Sequence, residues 1–209
     1  MAGAVTQLPA RLGRNDERAD AEFYAAPRLV EHIDAAAIDA VTAIHRARFP
    51  AGGALLDLMS SWVSHLPPDV AYARVAGVGM NAAELEANRR LTDRVVHDLN
   101  ADPALPYGDA EFDGAAICVS VQYLVRPVEV FRELARVLRA GAPLVVSFSD
   151  RCFPSKAVRE WLSRDTAGHA RLVAGYFALS AGFDASEVVS HQPASGDPLI
   201  AVIGRRRDR

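Results

Sequence analysis

From residue 54 onward, short apolar runs alternate with amphipathic ones, and this rhythm confines the chain to a mostly parallel sheet covered by helices. Ala54-Leu55-Leu56-Asp57-Leu58 reads as a first strand, Arg74 to Val78 as a second and Arg94 to Asp98 as a third. Ala115 to Val121, introduced by Phe112-Asp113, is apolar on both faces, as a central parallel strand is. Pro127 opens an amphipathic helix with Val130, Phe131, Leu134, Val137 and Leu138 on its core side, and Gly141 is expected to close it. Leu144 to Phe148 is the fifth strand.

Helices fill the remaining stretches. One starts at Asp34 as N-cap, with Ala37, Ile38, Val41 and Ile44 on one face, and stops at Pro50 and Gly52-Gly53. Another is expected over Ala82 to Leu91, one from Ser155 through Trp161, and one from His169 to Ala181 ended by Gly182. Two last strands, near Ser186 to Ser190 and Leu199 to Ile203, flank a turn rich in Pro, Ser, Gly and Asp. The fold class is α/β, three-layered and doubly wound, with a seven-stranded sheet whose last strand is antiparallel. Ligands of such sheets bind beyond the carboxyl ends of the strands.

A chain of 209 residues suits one core. Residues 1–20 are polar and mixed in charge and read as a flexible N-terminal arm, leaving 21–209 as a single domain. Phe23, Tyr24 and Arg28 can form a lid or seal the sheet's edge, and the basic end from Arg205 reads as a solvated tail. A net charge of -3 gives no bulk electrostatic reason to bind nucleic acid or an anionic membrane. Cys118 and Cys152 form no CxxC pair and no zinc-ligand spacing, so no metal is expected and both read as free thiols of a reducing compartment. No apolar run approaches the length of a membrane span, and the expectation is a cytoplasmic protein.

The most specific motifs are Asp98-Leu99-Asn100, Leu105-Pro106-Tyr107, Phe112-Asp113 and the run Arg132-Glu133-Leu134-Ala135-Arg136-Val137-Leu138-Arg139-Ala140-Gly141. Together they resemble class I S-adenosylmethionine-dependent methyltransferases of the small-molecule branch, over roughly residues 54–150. Ala140 and Ala142 replace the usual proline and second glycine. The run Asp57-Leu58-Met59-Ser60-Ser61-Trp62-Val63-Ser64-His65-Leu66-Pro67 is similar to a variant group of that superfamily, in which it stands in place of the glycine-rich cofactor loop.

The resemblance implies a Rossmann-like fold, S-adenosylmethionine as cofactor and a small-molecule methyl acceptor as partner. It implies that Asp98 and the Leu99 N–H meet the adenine edge beside Asn100, that Met80 and Val119 pack on the adenine faces, and that Asp57 orients the loop and the methionine ammonium end. Met59, Ser60 and Ser61 then line the loop, where the family uses glycines for close backbone approach. Gly79 stands where the family's acid holds both ribose hydroxyls, and Asn81, two residues on, can substitute through its amide.

No residue is assigned as the catalyst. His65 and Tyr123 are the weak candidate bases, and His65 reads more readily as the end of a short turn before Pro67-Pro68. His32, His45 and His169 are expected on helix surfaces, and Asp113 as a structural turn acid. Tyr123, Arg126, Arg151, Phe153 and Lys156 should border the substrate side, where Arg151 and Lys156 suit an anionic group and Phe153 a flat one. Two alternatives stay open. One is a non-catalytic relative with weakened cofactor binding that serves as a binding or partner subunit. The other is a nicotinamide-dependent oxidoreductase, against which the missing glycine fingerprint after the first strand argues.

Overall fold

The computed structural model describes residues 5–208. Seven strands form one sheet: β1 (Ala54–Leu58), β2 (Arg74–Gly79), β3 (Asp93–Val96), β4 (Gly114–Cys118), β5 (Pro143–Phe148), β6 (Glu187–His191) and β7 (Leu199–Arg205). Their order is β3-β2-β1-β4-β5-β7-β6, parallel except for β7, which runs antiparallel to both β5 and β6. The expected architecture is therefore the observed one, and the order reverses between β1 and β4.

The side-chain period of two divides the apolar strands between two faces. Leu56, Ile117, Val146 and Val202 enter one core, with α4 (Pro127–Val137) and α6 (Thr166–Ser180) packed over it. Leu55, Ala116, Val145 and Ala201 point the other way, where α2 (Ala35–Arg48) and α3 (Ala82–Ala87) lie. Asp34 caps α2, its carboxylate accepting from the Ala37 N–H at 3.0 Å. Short helices α1 (Asp20–Phe23) and α5 (Arg159–Leu162) complete the set.

Several boundaries differ from expectation. Helix α3 ends at Asn88, whose side chain is drawn onto Ser61 and Ser64 instead of continuing the helix to Leu91. Strand β4 stops at Cys118 because Val119 takes a φ of 43° and the chain turns into a 3₁₀ turn, Val121–Tyr123. Helix α4 is capped at Leu138, so Gly141 belongs to the turn before β5. Helix α5 begins at Arg159, well after Ser155, and α6 begins at Thr166, where Asp165 caps the Gly168 N–H at 2.7 Å. Ala181, not Gly182, takes the left-handed cap of α6. Gly182 is needed for closeness instead: a Cβ there would sit 2.3 Å from that of Ala135.

The N-terminal arm is a correction. Residues 1–4 lie outside the described residues, but those from Leu12 onward are packed against the domain. Leu12 is fully buried and its N–H donates to Val125 O at 2.8 Å. Arg14 forks onto both Asp20 oxygens at 2.8 and 2.9 Å, and the buried Lys156 ammonium lies 3.2 Å from Asp20 and donates to Arg18 O at 2.7 Å. Charges that read as solvated are mutually neutralised. The basic end is corrected too, since Arg205 finishes β7 and the Arg206 N–H donates to Ala142 O; Arg209 lies outside the described residues.

Candidate functional site

A parallel sheet leaves its strand carboxyl ends open at the point where strand order reverses. Above β1, β2 and β4 lies a cavity of about 560 Å³, roofed by parts of the segment from Asp20 to His32. Asp57, Met59, Ser60 and Ser61 line it from the loop after β1, and Gly79 and Met80 from the end of β2. Asp98, Leu99 and Asn100 line it after β3, and Val119 after β4. Asn81 does not line it. Its amide caps α3 by accepting from the Glu84 N–H and donates to the Tyr24 and Ala25 carbonyls, so it ties the roof to the helix.

The glycine-free loop and Gly79 prove to be one feature. Ser60 N–H donates to Val78 O at 2.8 Å, which draws the loop across the end of β2. A Cβ on Gly79 would then lie 2.2 Å from the Ser60 carbonyl oxygen. Close approach is thus provided by a glycine on the strand rather than in the loop. Met59 opens the loop with a φ of 58°, a left-handed conformation that costs a non-glycine residue about 1 kcal/mol.

Asp57 is buried, and its Oδ2 accepts from both Ser60 Oγ and Ser64 Oγ at 2.6 Å. Burial pushes its carboxyl up to about 6, against the pull of the two hydroxyls. Asp98 Oδ1 accepts from the Asn100 N–H at 2.9 Å and the Ala101 N–H at 3.2 Å, while Oδ2 accepts from no described residue. The Asn100 side chain is committed: it donates to Asp20 and Tyr123 O and accepts from the Val125 N–H. Asp113 holds the Ala54 N–H at 2.8 Å and pairs with Arg139, away from the cavity, as a structural turn acid does.

His65 and Tyr123 both line the cavity, on unequal terms. The Tyr123 hydroxyl accepts from the Phe153 N–H at 2.8 Å, and burial pushes it up to about 12, so it is no base near neutrality. The His65 backbone takes a φ of 44°, its carbonyl pinned at 3.1 Å by both Thr42 Oγ1 and His45 Nδ1. Its ring bonds to no described residue, and burial lowers its pKa. His45 is a correction: fully buried and stacked on Phe49, it holds the loop. His32 lines the cavity, and His169 stacks on Trp161 at 3.8 Å. Lys156 and Arg126 do not line the cavity, whereas Arg151 does, with its Nε on both Asp197 oxygens at 2.8 Å.

Glu84 was missed. Asn81-x-x-Glu84 reads as a helix cap, but the Glu84 carboxylate turns to the cavity, accepting from Ser61 Oγ at 2.6 Å and the Arg28 N–H at 2.7 Å. Trp62 borders the cavity without filling it, because its indole N–H is held by Val30 O at 3.0 Å.

Residues 58–146 match the family described as a methyltransferase domain, a stretch that includes most of the glycine-free loop and ends within β5. The fold is that of the class I S-adenosylmethionine-dependent methyltransferases. Solved structures with this methyltransferase fold superpose at low identity. The 4+2 cyclase SpnF has a TM-score of 0.60 and 18% identity, over 82% of each chain. An S-adenosylmethionine-dependent methyltransferase from Mesorhizobium loti has a TM-score of 0.56 and 15% identity, over 81% of this chain and all (100%) of its own. A putative methyltransferase from Haloferax volcanii, in complex with its Trm112 activator, has a TM-score of 0.57 and 18% identity, over 80% of this chain and 89% of the other. No curated protein matches. Among the described residues no helix of this methyltransferase fold is long and apolar enough to cross a membrane, and no cluster of three metal-ligating side chains occurs.

Proposed function

We propose that the chain transfers a methyl group from S-adenosylmethionine to a small molecule. The observation that carries the reading is the cavity itself, of a size usual for cofactor sites, with carboxylates of Asp57 and Asp98 on separate walls. Asp98 Oδ2 would take the adenine amino group, the Leu99 N–H would face the ring, and Met80 and Val119 would pack on its faces. Asp57, with Ser60 and Ser61 beside it, would hold the ammonium end. The ribose acid missing at Gly79 has a substitute in Glu84, not in the committed Asn81. The cofactor, when bound, supplies a methyl group on a positively charged sulfur.

The chain's own part is alignment and exclusion of water, which such transfers chiefly require. The roof from Asp20 to His32 covers the cavity and supports a small acceptor rather than a macromolecular one. His65, which lines the cavity with a ring that bonds to no described residue, is the candidate to take a proton from the acceptor. The free thiols Cys118 and Cys152 support a cytoplasmic setting.

One observation favours a second reading, a domain whose cofactor binding has weakened: both Glu84 oxygens and Asp57 Oδ2 are already occupied within the protein. The similarity to a cyclase also fits a fold used for other chemistry. Calorimetric titration with S-adenosylmethionine and S-adenosylhomocysteine decides between them. Binding that Asp98→Ala weakens at least about tenfold, the loss of one charged hydrogen bond, supports the first reading. No heat and no thermal shift at millimolar ligand would establish the second.

A further inference from the structure

We propose that the methyl acceptor is an amine that arrives as a cation; this deepens the transferase reading and rests on it. The charges lining the cavity are unequal. Carboxylates of Glu31, Asp57, Glu84, Asp98 and Asp150 face it, against the guanidiniums of Arg28 and Arg151. A further carboxylate, Asp20, is neutralised from outside by Arg14 and Lys156. Arg151 pairs with Asp197 through its Nε. Arg28 Nη2 donates to Phe23 O at 2.9 Å, and its Nη1 is sealed from solvent without a partner. Glu31 and Asp150, at the exposed mouth, accept no hydrogen bond from any described residue. A low-dielectric cleft lined by one sign of charge concentrates ligands of the other.

A second observation is independent of the acids. The aromatic wall of the cavity already holds a cation on its ring faces. The Arg28 guanidinium lies 5.8 Å from the Tyr24 centroid and 5.5 Å from that of Phe153, all three residues lining the cavity. Tyr123 stacks on Phe153 with centroids 5.9 Å apart, and the indole of Trp62 borders the cavity. Carboxylates beside aromatic faces are the chemistry that recognises ammonium groups. An ammonium must lose one proton before its nitrogen lone pair is available, and the exposed mouth beside Glu31 and Asp150 lets that proton pass to water.

The test uses probes of one shape and different charge. Protein saturated with S-adenosylhomocysteine is titrated by calorimetry with 2-phenylethylamine, 2-phenylethanol and phenylacetate at pH 7.5. The amine should bind about tenfold more tightly than the alcohol, with phenylacetate weakest. Raising the salt, or the double substitution Glu31→Gln with Asp150→Asn, should shrink that preference to about threefold or less. Equal affinities, a preference for phenylacetate, no binding of any probe, or a double variant with its preference intact would overturn the proposal. If S-adenosylhomocysteine itself gives no heat, the transferase reading fails separately. The same series on the ligand-free protein then judges the amine proposal by the same order.

Discussion

Two connections leave the centre of the sheet alike and then part. After β1 and after β4 the next residue takes a positive φ, 58° at Met59 and 43° at Val119. The β4 connection then builds α4, whose Val130, Phe131, Leu134 and Val137 are fully buried. The β1 connection, residues 59–73, reaches β2 without any helix. It is held by polar anchors from elsewhere: Asn88 on Ser61 O and Ser64 Oγ, Arg90 on Pro67 O and Val70 O, and Thr42 and His45 on His65 O. A chain can thus fix a crossover by an apolar stripe or by side chains clamping its carbonyls. The stripe stabilises everything, whereas the clamps position the wall of one cavity.

If that contrast is right, Leu134→Ala should cost about 3–4 kcal/mol in urea unfolding, while the folded fraction keeps its affinity for S-adenosylhomocysteine. Gly79→Ala attacks the other connection, where a new methyl must push the Ser60 carbonyl away. About 2–3 kcal/mol of stability should go, together with most nucleoside binding, and retained binding would break the comparison.

Asp57→Asn should act with the opposite sign on stability. Below the unfolded carboxyl's value of 3.8 the group is protonated in both states and its burial is harmless. As pH rises the unfolded chain ionises first, so stability falls until the folded group ionises at about 6. The neutral substitute should therefore gain about 2 kcal/mol at pH 8, and this gain should fade between pH 6 and pH 4. Thermal midpoints across that range check it, and calorimetry should show weaker binding in the same variant. The smallest effect is expected from Asn88→Ala, about 1–2 kcal/mol for the lost clamps. Hydrogen exchange should quicken near Ser61 and Ser64 and stay unchanged in α4.

The same contrast explains what was legible in the residues. Strand β1 and helix α4 announce themselves through neighbouring apolar positions and a proline at the first turn, signals that need no partner. Most of the cavity lining followed once those strands were placed, because a parallel sheet fixes which ends converge. Long-range pairs were not legible. Asp20 looked solvated because Asn100 and Lys156 are distant in sequence, and the ring of His45 gave no sign that it would hold the His65 carbonyl. Glu84 was hidden behind an ordinary capping pattern, and Asn81 seemed available because its two roof carbonyls belong to Tyr24 and Ala25.

The contact between Ser60 O and the vacant side of Gly79 also couples the two positions in any change of sequence. No side chain can be placed at that strand end by a single substitution while the loop keeps its present path. A glycine introduced into the loop would relieve little while residue 79 stays bare. The two positions form an epistatic pair, so acids on this cavity rim are confined to other positions.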